Sequence, residues 1–162
     1  MSIYIFSRPV HSGKTTELLT WCSKQKDVRG VLMPDIEGSR KILDLHTKEI
    51  FEIECVEPLK ATEKIVSVGR FHFYESAFER ANDIITGSLS YDPEWLVIDE
   101  AGKLELNGKG FYNSLVTAMA FYNTKKGTGN LLLTVRDNLC TEVISFFNIR
   151  DYRIIQQLSD VF

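Results

Sequence analysis

One stretch near the start of the chain restricts what it can fold into more than any other: Arg8-Pro9-Val10-His11-Ser12-Gly13-Lys14-Thr15-Thr16. It follows a compact apolar run, Ile3 to Phe6, and opens a segment with Thr15, Leu18, Leu19 and Cys22 at helical spacing. A strand, a loop of small residues closing on Gly-Lys-Thr, and then a helix is the layout that holds nucleotide phosphates. The unpaired N–H groups of the loop and of the helix's first turn converge on one concavity, which favours an anion. Gly13 lets the backbone approach phosphate oxygens, because no Cβ stands in the way. Lys14 brings a positive charge toward the β- and γ-phosphates, and the Thr15 hydroxyl suits Mg²⁺. Every residue from Arg8 to Thr16 is therefore a candidate nucleotide contact. Arg8 stands where the pattern G-x-x-x-x-G-K-[ST] has its first glycine. Pro9 disfavours the helical region for Arg8 and holds it extended, so the loop is expected to tolerate it. Its guanidinium is itself a candidate contact.

The rest of the chain reads as strands alternating with helices. From Gly30 to Tyr74, Val31 to Met33, Lys41 to Leu45, Ile50 to Val56 and Ile65 to Phe73 read as four short strands, with a hairpin turn around Thr47-Lys48-Glu49. Ile50 to Cys55 alternates, with Phe51, Ile53 and Cys55 on one side and Glu52 and Glu54 on the other. A segment of ~45 residues buries too little to stand alone, so residues 30–74 are expected to elaborate the sheet in an antiparallel sense. Phe78, Ala81, Ile85 and Leu89 predict a helix capped by Ser76 and broken at Tyr91-Asp92-Pro93. Phe111, Leu115, Ala118, Met119 and Tyr122 predict another, and Leu139, Val143, Phe146 and Phe147 a third. The unbroken apolar run Trp95–Ile98 predicts a strand covered on both faces, Leu131-Leu132-Leu133-Thr134-Val135 a second fully buried strand, and Tyr152 to Leu158 the last strand. The expected architecture is a three-layer α/β sandwich with a mainly parallel central sheet. Residues 1–162 form one expected domain.

Asp99-Glu100, at the end of the first of those runs, is the second chemical feature. Ligands of open α/β sheets bind beyond the carboxyl ends of the strands, where both this pair and the loop after Phe6 fall. If the two strands lie near each other, Asp99 faces the Mg²⁺ that Thr15 holds, as a hard oxygen ligand acting directly or through water. Glu100 is then placed to orient or deprotonate an attacking water. Taken alone, the pair also reads as a solvated acidic strand end. Arg136, just past Val135, is the first candidate for a cation that neutralises charge in phosphoryl transfer, with Thr134 as a polar sensor beside it. Arg70, Arg150 and Arg153 are rivals.

Composition narrows the partners. A formal charge of −3 and no Lys/Arg block argue against nucleic acid. No apolar run approaches the ~20 residues of a membrane span, and no basic-then-apolar leader opens the chain. A cytoplasmic location is expected. Cys22, Cys55 and Cys140 are widely spaced and odd in number, which reads as free core thiols. Of the histidines, only His11 lies where a ligand is expected. Nothing in the pattern fixes an oligomeric state.

Trp95 to Phe111, reading W-L-V-I-D-E-A-G-K-L-E-L-N-G-K-G-F, resembles the acidic segment of a family of small P-loop nucleoside-triphosphatases that includes thermophile enzymes and a cancer-related human one. The resemblance extends to the Gly-Lys-Thr-Thr loop, to Gly38-Ser39-Arg40 leading into Ile42 to Leu45, and to Val68-Gly69-Arg70-Phe71. The chain departs from the family pattern at Arg8 and lacks an Asn-Arg element toward its end. The resemblance implies a RecA-like P-loop fold and Mg²⁺-dependent hydrolysis of nucleoside triphosphates with little discrimination between bases. It implies that Lys14, Thr15 and Asp99 bind phosphate and metal and that Glu100 is the catalytic base. It also implies that Ala101, Gly102, Lys103 and the residues up to Leu106 line the nucleotide site. The residues themselves leave open a nucleotide-binding switch with negligible turnover, and a small-molecule kinase whose acceptor is bound by the insertion at 30–74. Paired Asp-Glu favours attack by water.

Overall fold

The computed structural model describes residues 1–161; Phe162, the last residue of the expected domain, lies outside them. In chain order the elements are β1 (Ile3–Arg8), α1 (Lys14–Cys22), β2 (Val28–Leu32), β3 (Asp35–Ile36), β4 (Ser39–Asp44), β5 (Ile50–Glu52), β6 (Ile65–Val68), β7 (Phe71–Tyr74), α2 (Glu75–Leu89), β8 (Trp95–Ala101), α3 (Lys103–Leu106), α4 (Tyr112–Asn123), β9 (Asn130–Arg136), α5 (Cys140–Phe146) and β10 (Tyr152–Ile155). The main sheet runs β10-β1-β9-β8-β2-β4-β3, with β5 paired to β4. Its first five strands are mutually parallel.

Alternation along those strands creates two apolar layers. Ile3 and Ile5 of β1, Leu96 and Ile98 of β8, and Leu131 and Leu133 of β9 face α2, α4 and α5 through Phe78, Ile85, Leu115, Met119 and Val143. Tyr4, Phe6, Trp95, Val97 and Leu132 point the other way, onto Leu18 and Cys22 of α1. A strand with apolar residues on both sides must be covered on both faces, which gives the three layers. Burial of each such side chain stabilises the fold by about 1.5–3 kcal/mol, so the sheet's centre is its rigid part.

Residues 30–74 depart from expectation in three places. Gly30 and Val31 belong to β2, which is parallel to β8, so the antiparallel elaboration begins only after Leu32. The segment Ile65–Phe73 is a hairpin of two strands, turned at Gly69 (φ +56°), and forms its own small sheet. The expected strand Ile50–Val56 ends at Glu52, although Ile53 and Cys55 stay buried while Glu52 is exposed. A single antiparallel bridge from Glu54 to Phe73 ties the hairpin to the rest. The turn at Thr47 is as expected, because Asp44 Oδ1 accepts the N–H groups of His46 (2.9 Å) and Thr47 (3.2 Å) and closes it.

Smaller corrections concern caps and faces. Ser76 does not cap α2; its hydroxyl donates to Glu63 at 3.0 Å, and Tyr74 precedes the helix without a side-chain cap. Leu19 and Phe146, expected on buried stripes, are exposed. The last strand stops at Ile155, before Leu158 opens a short 3₁₀ turn. All three cysteines are buried free thiols. Among the described residues no helix is long and apolar enough to cross a membrane.

Gly30 makes a sharp test of the β2–β8 contact. It sits at φ +106°, and a Cβ there would overlap the Val97 carbonyl oxygen of the neighbouring strand. Gly30→Ala is expected to cost about 3 kcal/mol through strain and overpacking. Gly87→Ala, on the exposed face of α2 with open space around it, is expected to stabilise by about 0.5–1 kcal/mol. Chemical denaturation of both variants checks the contrast, and equal effects would contradict this packing.

Candidate active site

The loop between β1 and α1 is shaped by two left-handed residues, His11 (φ 58°) and Gly13 (φ 79°). Gly13 precedes α1 without any side-chain cap, so the first N–H groups of the helix keep their hydrogen-bonding capacity. Successive N–H groups in such a curl make an anion-binding concavity. Val10, His11, Ser12, Gly13, Lys14, Thr15 and Thr16 line a cavity of about 560 Å³. Lys14 is buried, and its Nζ donates to the carbonyl oxygens of Arg8 (3.2 Å) and Pro9 (3.3 Å), bent back over the loop.

Asp99 is the buried anchor of the site. β9 lies between β1 and β8, so the acidic strand is one strand removed from the loop strand. The gap is bridged by hydroxyls. Thr15 Oγ1 donates to Asp99 Oδ2 at 2.9 Å, and Thr134 of β9 donates to Asp99 Oδ1 at 2.7 Å. The backbone N–H of Met33, just past β2, adds a third bond to Oδ2 at 3.1 Å. Glu100, the next residue, lines the cavity. Arg136 Nε donates to its Oε1 at 3.2 Å, and Lys14 Nζ lies 3.9 Å from Oε2. Burial, and then the negative charge of Asp99, push the Glu100 carboxyl above the usual glutamate range against the pull of Lys14 and Arg136.

Several expected contacts lie elsewhere. Arg8 ends β1, its extended backbone needing no glycine, and its side chain pairs with Glu17 at 2.7 Å over the Phe6 ring. Arg8 and Pro9 do not line the cavity; they reach the site only through the carbonyls that hold Lys14. Ala101 is fully buried in the core, so it does not line a nucleotide site. Gly102, Lys103, Leu104 and Glu105 instead line a smaller recess of about 100 Å³ behind Glu100, walled by Phe71, Phe73, Phe78 and Phe111. Arg150 and Arg153 line neither cavity, whereas Arg70 lines the larger one.

The opposite wall of the large cavity comes from the elaboration: Pro34, Asp35, Gly38, Arg40, Glu54, Arg70 and Phe71. As site residues, Pro34, Asp35 and Glu54 carry no sequence signal, because no motif spacing relates them to the loop. Arg40 and Phe71 do fall within stretches that carry the family resemblance. Among the described residues no group of three or more His, Cys, Asp or Glu side chains could hold a metal.

The parallel order around β1, the capless Gly-Lys-Thr loop and the acidic strand end define the three-layer fold of the P-loop nucleoside-triphosphatases. Among solved structures the chain is similar to THEP1 from the hyperthermophile Aquifex aeolicus, with a TM-score of 0.70 over 99% of this chain and 92% of that one. The two sequences are 19% identical, so the likeness is one of fold. No protein-family model matches the chain, and no curated protein matches it.

Glu105, in the wall of the recess, accepts the N–H groups of Gly102 (2.7 Å) and Phe111 (2.9 Å). Burial outweighs those bonds and pushes its carboxyl up to about 7. In the unfolded chain it titrates near its ordinary 4.5, so the folded state binds the extra proton and stability falls as pH rises through this window. Glu105→Gln is expected to flatten the stability profile between those two values, as read by thermal or urea unfolding across pH. An unchanged slope would show that Glu105 does not carry it.

Proposed function

We propose that the protein hydrolyses nucleoside triphosphates to the diphosphate and phosphate in a Mg²⁺-dependent reaction. The observation that carries this is the Thr15–Asp99 hydrogen bond, which sets the loop hydroxyl against the acidic strand end at 2.9 Å, with Glu100 on the same cavity. A hydroxyl and a carboxylate are the hard oxygen donors that suit Mg²⁺, an ion that keeps several waters and takes few protein ligands. Thr15 and Asp99 would hold it, and when bound it neutralises charge on the phosphate oxygens.

The chain's own groups do the rest. The N–H groups of the loop and the Lys14 ammonium hold the triphosphate in place. Glu100 takes a proton from water as the water oxygen bonds to the γ-phosphorus and the bond to the β–γ bridging oxygen breaks. Its raised pKa makes it a stronger base than an exposed glutamate. Arg136 and Lys14 hold its carboxylate in the cavity. Broad use of ATP, GTP, CTP and UTP belongs to the same reading, as the resemblance of the Trp95–Phe111 segment implies.

The recess behind Glu100 supports a second reading, phosphoryl transfer to an organic hydroxyl, since Phe71, Phe73, Phe78 and Phe111 offer a surface on which the apolar body of an acceptor would pack. Phosphate release and diphosphate formation, measured together with each of the four triphosphates, separate the two. Equal amounts mean hydrolysis, and excess diphosphate means transfer to another acceptor. Glu100→Gln is expected to lower turnover by about 100-fold or more with nucleotide binding retained. The wild-type rate is expected to rise with pH as Glu100 loses its proton, with that limb above the usual glutamate range. Unchanged turnover in Glu100→Gln would remove Glu100 from the chemistry.

A further inference from the structure

The elaboration places two arginines across the cavity from the phosphate loop: Arg40 of β4, and Arg70 at the turn between β6 and β7. Among the described residues neither forms an ion pair with a carboxylate. Both guanidinium groups instead lie against the Phe71 ring, 5.7 and 5.1 Å from its centroid. Such stacking holds a guanidinium in place while leaving its N–H edge free for an anion. The backbone N–H of Arg40 donates to Glu54 at 2.7 Å, which fixes the strand from which the side chain projects.

Arg40 differs from Arg70 in position. The large cavity and the aromatic recess share five residues: Thr15, Arg40, Phe71, Glu100 and Arg136. Two of these are the proposed metal ligand and the proposed base, so their junction is where a γ-phosphate would be attacked. The second cation at the junction, Arg136, and the loop's Lys14 on the large cavity are both engaged. Arg136 is bonded to Glu100 at 3.2 Å, and Lys14 is held by two carbonyl oxygens. Arg40 is the cation at the junction with no carboxylate partner. Phosphoryl transfer spreads negative charge over the equatorial oxygens, and an arginine delivered to them accelerates it by about 10³–10⁵-fold.

We propose that Arg40 is the arginine that contacts the γ-phosphate during transfer, so that the chain supplies this cation from its own antiparallel elaboration. The proposal rests on the triphosphatase reading above. In the reaction Arg40 gains and loses no proton; it donates hydrogen bonds to the oxygens of the phosphoryl group as the bond to the leaving diphosphate breaks. Arg70, which lines only the large cavity, steadies the triphosphate away from the reacting centre.

Two measurements on the full chain test this: steady-state ATP hydrolysis, and binding of ADP with Mg²⁺ in the presence and absence of aluminium fluoride, a mimic of the phosphoryl group in transfer. Arg40→Ala is expected to lower kcat by about 10³-fold while ADP affinity stays within about threefold, and to abolish the tightening that aluminium fluoride produces. Arg40→Lys restores part of both, and Arg40→Gln, which keeps the stem on Phe71, repeats the loss in a folded protein. Arg70→Ala raises KM with little change in kcat. The proposal is overturned if Arg40→Ala and Arg40→Gln keep kcat within about threefold, if aluminium fluoride still tightens ADP binding to them, or if ADP binding falls as far as kcat. A wild type that neither hydrolyses ATP nor binds ADP more tightly with aluminium fluoride would instead overturn the triphosphatase reading on which the proposal stands.

Discussion

The site depends on one carboxylate. Asp99 accepts hydrogen bonds from Thr15 at the start of α1, from Thr134 on β9 and from the Met33 N–H beyond β2, all at a position almost closed to solvent. A hydrogen bond to a charged group contributes about 1.5–3 kcal/mol, and leaving a buried carboxylate unpaired costs more. The three donors thus fix where the loop helix, the intervening strand and the end of β2 meet. With Asp99 held, the next residue, Glu100, is set on the cavity against Arg136, and Lys14 closes the other side. The phosphate loop and the acidic strand end are coupled parts of one polar network.

That network occupies one wall. The wall opposite comes from strands that add nothing to the parallel core: β4 and β3 extend the sheet edge, and the β6–β7 hairpin carries Phe71 toward the loop. The hairpin packs Phe73 against Phe78, and Phe78 against Phe111, so the elaboration is anchored in the same apolar layer as α2 and α4. This anchoring positions Arg40 and Arg70 across the cavity. A bare three-layer core would leave the phosphate loop facing solvent.

The sequence made the central layers legible because their physics is local. The run Trp95–Ile98 is apolar at every position and Leu131–Val135 at all but Thr134, which suits a doubly covered strand, and the stripe from Phe111 to Tyr122 fits one helix face. Gly-Lys-Thr and Asp-Glu could be read because each carries its chemistry within a few residues. What could not be read was pairing at long range. Ile65–Phe73 looks like one strand until the left-handed Gly69 turns it. Nothing adjacent to Arg8 announces its pairing with Glu17 a helix turn and more away. Ala101 sits beside the catalytic candidates in sequence, yet an irregularity in β8 between Ile98 and Ala101 breaks the alternation and sets its side chain in the core with Leu96 and Ile98. Pro34 and Glu54 join the site only because β3, β4 and the hairpin fold over it.

In the proposed function, Thr15 and Asp99 together would form the oxygen-donor end of a metal–triphosphate site. The most direct test is calorimetric titration of a non-hydrolysable triphosphate with and without Mg²⁺, in wild type and in Thr15→Val. Mg²⁺ is expected to tighten binding to the wild type by about tenfold or more, and Thr15→Val to lose most of that gain while its metal-free affinity is retained. Mg²⁺ that leaves wild-type affinity unchanged, or tightens both proteins equally, would contradict it.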